Sequence, residues 1–510
     1  MTKQPTDAGA MAGTPPAPPR TAVPSPAATA KGLHRGSVSL LGAVALGLSS
    51  VAPAYSIAVT LGLVTLVAGH LAPAALLLGF VPILLTAFAF REFNRQLPDC
   101  GTTFVWTTRA FGPLAGWLVG GWAVQIATLI AMTALSQVGA VYLLQVLGLH
   151  TWEQRPLAVT VTAVLLLAAL TAVARRGLRI AASVQYVLLG LQLTALFGFG
   201  AAALVQRHSV RPSLSWLNPF AFGDPGSCAQ AVLLCLFIYW GWDSLITVNE
   251  ETDSDRVPGR AVLISTFTLL GTYLFTAFAA ISFAGTGSTG IGLGNAATAT
   301  DVLATLAPPV LGSVLAKAVQ LAVCVSAVSS LLTTLISSSR TTLSMAAHGA
   351  LPAAFRRIHP RHRTPAFGTV FFGAATAALL VLLQLLSPRF LGDAILSIGL
   401  LIACYYGTTA LACVWHFRSQ LRDSPRDLLM KGVLPLLGAV LMLAAFARSA
   451  YDMYAPAYGS TSFHGVGGVF LLGFGSLALG VAAVLIARAR FPRFFREGRT
   501  AVTRITVTED

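Results

Sequence analysis

The chain has 510 residues, 55% hydrophobic and only 10% charged, with a mean hydropathy of +0.75. Soluble domains carry about 25% charged residues, so an ordinary water-soluble protein is excluded. The apolar runs are long and unbroken, which excludes a β-barrel as well and leaves an all-α polytopic membrane protein. The net charge of +15 does not point to nucleic acid, because no basic patch is interleaved with aromatics; Lys and Arg flank the apolar runs, as orientation in a bilayer requires.

Residues 1–37 are rich in Pro, Ala, Thr and Ser, have no apolar stretch of the signal-peptide kind, and read as a disordered cytoplasmic tail. Twelve candidate spans follow. The first five are 38–64, 71–93, 113–146, 156–174 and 181–205; the next five are 228–249, 259–284, 311–338, 366–386 and 391–417; the last two are 431–451 and 465–487. A helix needs about 20 apolar residues to cross the hydrocarbon core. With the N-terminus inside, 27 of the 33 Lys and Arg residues fall on the inner side. The outer side keeps Arg155, Arg207, Arg211, Lys317, Arg389 and Arg448. This asymmetry predicts a multi-pass cell-membrane protein with both termini cytoplasmic, residues 488–510 forming the second tail.

Span one contains Gly47-Leu48-Ser49-Ser50-Val51-Ala52-Pro53-Ala54. Pro53 donates no backbone bond and clashes with the preceding turn, so the helix kinks or unwinds just before it. In span three, Gly112, Gly116 and Gly120 recur at four-residue spacing, which suits close helix packing. Span six carries Phe237-Ile238-Tyr239-Trp240-Gly241-Trp242-Asp243, with a glycine and a carboxylate near mid-span. A charge at the bilayer centre costs about 2.5–3.5 kcal/mol on insertion scales and marks a functional site. Trp240 and Trp242 can cover a cationic substrate or serve as bundle packing. Glu250 and Glu251, with Arg256 and Arg260, can latch the inner mouth or form a solvated loop. The segment 285–309 is Gly- and Thr-rich and reads as an outer lid or a spacer. The six cysteines have no metal-like spacing and read as buried thiols.

Spans one to five (38–205) and six to ten (228–417) make two equal halves, and the broken helix is the first of each. An odd number of spans per half places the halves inverted in the membrane. Interrupted helices at matching positions of inverted halves mark a transporter's midplane site. Freed amides attract anionic groups there, while freed carbonyls and Asp243 attract cations.

Further motifs carry a resemblance. They are Leu97-Pro98-Asp99-Cys100-Gly101-Thr102 with Phe104-Val105-Trp106, then Gly120-Gly121-Trp122, the span-six break running on to Asn249-Glu250-Glu251, and Ser339-Arg340 with Leu351-Pro352 and Thr364-Pro365. Over residues 38–417 this resembles the amino acid–polyamine–organocation superfamily of permeases. The resemblance implies a leucine-transporter-like fold of 5+5 inverted repeats working by alternating access, with spans eleven and twelve (431–487) added. It also implies a substrate carboxylate on amides of the first break and an amine on carbonyls of the sixth. By position these are Ser49, Ser50, Val51, Ala52 and Ala54, and Phe237, Ile238, Tyr239, Trp240, Gly241 and Asp243, with Pro53 and Gly241 as the helix breaks. Here Val51-Ala52-Pro53 replaces the family's Gly-Ser-Gly and removes an amide donor, so recognition through the amine alone is the alternative.

Some relatives of this kind use a lysine of span five for protons, a place that falls at Gln192. Others hold sodium between the first break and hydroxyls of span eight, which here points to Ser329 and Ser330. The expected function is secondary transport of an amino acid or related amine, without a cofactor, enzymatic step or metal site and with H+ or Na+ as the possible coupling ion. The alternatives are a polyamine or organic amine transporter or exchanger lacking carboxylate recognition, and a membrane-bound amino acid sensor.

Overall fold

The structure, a computed structural model, describes residues 31–206, 209–386 and 388–503. Residues 1–30 and 504–510 of the two tails, and Arg207, lie outside the described residues.

Helix α1 (Leu40–Val51) is capped by Ser39, whose Oγ accepts from the Gly42 N–H at 3.2 Å. It stops at Val51 because Ala52 turns to φ 54°, ψ 62°, a left-handed conformation uncommon for alanine. The next residue is Pro53, which disfavours helical geometry in the residue before it. Pro53 opens α2 (Pro53–Ala68) at the first helical position, where its missing N–H is harmless. After a turn at Gly69–Leu71 comes α3 (Ala72–Gln96), then α4 (Thr103–Phe111). Next are α5 (Pro113–Val146), α6 (Pro156–Arg175) and α7 (Leu178–Val205). The second half holds α8 (Pro225–Ile238), a tighter 3-10 helix Trp242–Glu251, α9 (Val257–Ala284), α10 (Val302–Ala347), α11 (Ala366–Leu386) and α12 (Pro388–His416). Helices α13 (Leu434–Tyr454) and α14 (Gly468–Arg490) follow, separated by a hairpin of Ser462–Phe463 with Val466–Gly467, and a short helix Pro492–Arg496 and a 3-10 turn Gly498–Thr503 come after them.

Among the described residues 11 helical runs are long and apolar enough to cross a membrane. The first, Leu40–Gln96, has 57 residues. At 1.5 Å per residue that is about 85 Å, enough for two crossings, and it is interrupted at Ala52 and Gly69. Burial separates centre from periphery. The apolar window of α10 is 78% buried and that of α14 is 22% buried. Helix α10 packs against α1, α2, α5 and α7, whereas α14 exposes Leu479, Val481, Leu485 and Ile486 on the outside, where lipid would cover them.

The glycines of span three divide in role. A Cβ on Gly116 or Gly120 would strike Thr108 or the Phe104 backbone of α4, so both permit close packing. Gly112 has open space around it and φ +97°, and it makes a turn instead.

The end of the tail departs from the expectation of disorder. Lys31 and Leu33 are buried, and Leu33 packs with Cys100 and Leu343. The segment is tied to the exit of the sixth span: Ser37 and Val38 donate to the Glu251 carbonyl, and Asp253 donates to that of Val38. Burial of a single leucine and these backbone pairs override a composition that would otherwise favour disorder.

Candidate functional site

The first break places the end of α1 and the start of α2 beside α10. Ser330 Oγ donates to the Ser50 carbonyl at 2.6 Å, Ser56 Oγ to that of Val51 at 2.7 Å, and the Tyr55 amide to Ser326 Oγ at 3.3 Å. The second break falls after α8. Gly241 takes φ +113°, a conformation open to glycine, and so turns the chain from α8 into the 3-10 helix. A Cβ on Gly241 would lie 2.9 Å from the Ser50 carbonyl oxygen. The two interruptions therefore meet.

A cavity opens between them, lined by Ser50, Val51, Ala52, Phe237, Trp240, Gly241 and Asp243 together with α5, α10 and α12. Asp243 Oδ1 accepts from Tyr406 at 2.9 Å and Oδ2 from Tyr405 at 3.2 Å. Tyr405 accepts in turn from Trp240 Nε1 at 2.6 Å. The carboxylate is thus held by two hydroxyl donors while remaining in the cavity wall. Trp240 lines the cavity, whereas Trp242 is fully buried against Phe90 and Tyr406.

The other sequence candidates stand behind this wall. Ser49, Ala54, Ile238 and Tyr239 are buried outside the lining; Tyr239 donates to the Leu76 carbonyl at 3.2 Å, and the Ile238 carbonyl accepts from Tyr273 at 2.9 Å. Ser330 lines the cavity. Ser329 does not: its Oγ donates to Gln185 Oε1 at 2.5 Å, and Gln185 Nε2 returns bonds to the Ser329 carbonyl and Thr333 Oγ1, both at 2.8 Å. Gln185, two turns before Gln192, is therefore a polar side chain of α7 that reaches the middle of α10. Gln192 is buried with no hydrogen-bond partner among the described residues. Spacing within one helix could not reveal this, because it depends on how α7 is rotated against α10.

Tyr405 and Tyr406 are functional candidates that sequence reasoning missed. A signal exists in hindsight, since two adjacent phenols in mid-span carry polar tips that must find partners in an apolar bundle.

The side of the molecule carrying the tail holds a cluster of buried charge. Lys31 Nζ lies 2.7 Å from Asp99 Oδ2 and 2.6 Å from Glu250 Oε1. Asp99 also accepts from Ser344 Oγ at 2.5 Å and contacts His348 Nε2 at 3.0 Å. Burial alone would raise the Asp99 carboxyl, but the Lys31 ammonium and the His348 bond outweigh it and hold it well below the usual carboxylate range. Burial likewise opposes charge on Lys31, and the surrounding Asp99, Cys100 and Glu250 hold its ammonium well above its ordinary value. Asp99, Cys100 and Glu250 bring their donor atoms within 4.8 Å of one another, and the ammonium supplies the positive charge among them. Arg340 makes a two-point pair with Glu251, Nε to Oε2 at 2.5 Å and Nη2 to Oε1 at 3.1 Å. Glu250 and Glu251 thus pair with Lys31 and Arg340, in place of the Arg256 and Arg260 that sequence proximity suggested.

On the opposite side the segment 285–301 packs against the bundle. The Ala299 backbone abuts Gly62 of α2, and Asp301 both caps α10 and accepts from Tyr142 of α5. Ala299 and Asp301 thus tie its end to the bundle, while residues 287–291 are exposed.

The sequence is similar to those of known proteins. An uncharacterized transporter of Mycobacterium tuberculosis is 26% identical over 469 residues, covering 89% of this chain and 93% of its own. A low-affinity putrescine importer of Escherichia coli is 24% identical, covering 81% and 88%. A branched-chain amino acid permease of Bacillus subtilis is 24% identical, covering 71% and 77%. The sequence model of a family described as amino acid permease matches residues 38–475, and the chain belongs to that family.

Proposed function

We propose that the protein is a secondary permease that moves an amino acid or related amine across the cell membrane by alternating access. The observation that carries this reading is the meeting of two interrupted helices around a cavity walled by Asp243. An amine enters against the Asp243 carboxylate and the carbonyls freed at the breaks. Trp240 and Phe237 flank it. Relatives named for putrescine and for branched-chain amino acids support the substrate range.

Spans 38–205 and 228–417 act as two inverted five-helix repeats, with both tails cytoplasmic. The Lys31–Asp99–Glu250 cluster and the Arg340–Glu251 pair then bolt the cytoplasmic path. Substrate shifts the equilibrium between open states only through its different affinity for them. No covalent step is required.

For coupling, Ser330 is the hydroxyl that a sodium ion would share with the Ser50 carbonyl, and Asp243 the carboxylate that a proton would use. Uptake of labelled amino acids and amines into proteoliposomes, under a sodium gradient, a proton gradient or neither, tests the reading and separates the ions. Failure of every substrate to enter above protein-free liposomes would overturn it.

A further inference from the structure

We propose that the cavity accepts its substrate as a cationic amine and offers no seat for an α-carboxylate, so that the chain carries amines in preference to amino acids. This rests on the permease reading above and narrows it.

Charge is the first argument. Among the described residues lining the cavity, Asp243 is the one charged side chain, and no Lys, Arg or His stands there to face a carboxylate. The second argument concerns backbone donors, and it is independent of the first. A helix start holds an anion through its unpaired N–H groups. At the start of α2 those groups are committed. The Ala52 amide donates to the Ser49 carbonyl at 3.1 Å, that of Tyr55 to Ser326 Oγ at 3.3 Å and that of Ser56 to the Ala52 carbonyl at 2.8 Å, while Pro53 has none. Ala54 alone is left, and it is fully buried and outside the cavity lining. A carboxylate leaving water needs several donors to offset its lost hydration. The start of α2 offers one hidden amide, and the amides that open the second helix at Trp242 and Asp243 stand beside the Asp243 carboxylate, which repels an anion there.

Acceptors, in contrast, converge. Besides Asp243 there are the carbonyls of Ser50 and Val51, each accepting one side-chain bond and keeping a second lone pair. Ser50, 6% exposed, lines the cavity, and its Oγ has no hydrogen-bond partner among the described residues; the hydroxyl can accept from an ammonium as well as donate. An ammonium group, with three donors and no acceptor, fits that set. A carboxylate would meet Asp243 as a like charge.

The test uses the full-length protein in nanodiscs and ligand pairs that differ by one carboxylate: putrescine with ornithine, cadaverine with lysine, and tyramine with tyrosine. Affinities come from titration followed by thermal shift. The proposal expects at least one amine to bind ten-fold or more tightly than its parent amino acid, and Asp243→Asn, shown to be folded by size-exclusion chromatography, to lose that binding. Parent amino acids binding as tightly as their amines would overturn the proposal and leave the permease reading standing. Undiminished amine binding by Asp243→Asn would overturn it too. Binding by neither member of any pair would remove both the proposal and the reading beneath it.

Discussion

Gly241 and Ser50 stand so close that any side chain at 241 would press on the Ser50 carbonyl, 2.9 Å from the position its Cβ would take. Gly241→Ala meets that contact and a φ of +113° at once. A left-handed conformation alone costs an L-residue about 1–2 kcal/mol, and here a backbone atom must also give way. The variant should insert and fold but lose at least ten-fold in initial uptake rate, measured in proteoliposomes at matched protein content. Uptake equal to the wild type would separate the two breaks functionally.

The phenols that hold Asp243 should differ in importance. Hydrogen bonds to charged groups contribute about 1.5–3 kcal/mol, which is roughly ten- to a hundred-fold in affinity. Tyr406→Phe removes one donor from Asp243. Tyr405→Phe removes the other and also strips Trp240 Nε1 of its acceptor. Substrate KM should therefore rise more for Tyr405→Phe than for Tyr406→Phe, with Asp243→Asn the most severe. Kinetics of the three variants give the order directly.

Pro53→Gly would restore an amide at the start of α2. That donor should raise the affinity for an amino acid relative to its decarboxylated partner by a few-fold, without improving the amine. The ratio of the two affinities is the readout, and an unchanged ratio would show that the missing amide is not what excludes the carboxylate.

Replacing Lys31 with Met leaves Asp99 and Glu250 facing each other without their cation. Removing one partner of a buried pair costs about 3–5 kcal/mol, so the closed state should weaken and cysteine labelling at Cys100, now buried, should quicken. The pH dependence has a definite sign. Asp99 lies below its unfolded value of 3.8, so its contribution is complete above that pH and is lost as pH falls through the native value. Lys31 lies above its unfolded value of 10.5, so its contribution is complete below that pH and is lost as pH rises through the native value. Between pH 5 and 9, about the usable range for the purified protein, neither group titrates in the wild type. Lys31→Met leaves Asp99 buried without the ammonium, a charge that protonation relieves, so the gap in melting temperature between wild type and variant should narrow as pH falls. A gap that stays constant or widens toward pH 5 would contradict the assignment of charge.

What the sequence determined by itself was local. Hydropathy set the membrane class and nearly every helix, because each span needs only its own run of apolar residues. Pro53 and Gly241 set the places where the helices stop, since a missing amide and a backbone open to positive φ act within one turn. Tertiary structure decided the partners. Tyr406 reaches Asp243 across 163 positions, Lys31 reaches Glu250 across 219, and Gln185 rather than Gln192 reaches Ser329 across 144. Those pairings follow from how whole helices rotate and slide against one another, and helical periodicity within one span carries no information about the angle at which its neighbour is set.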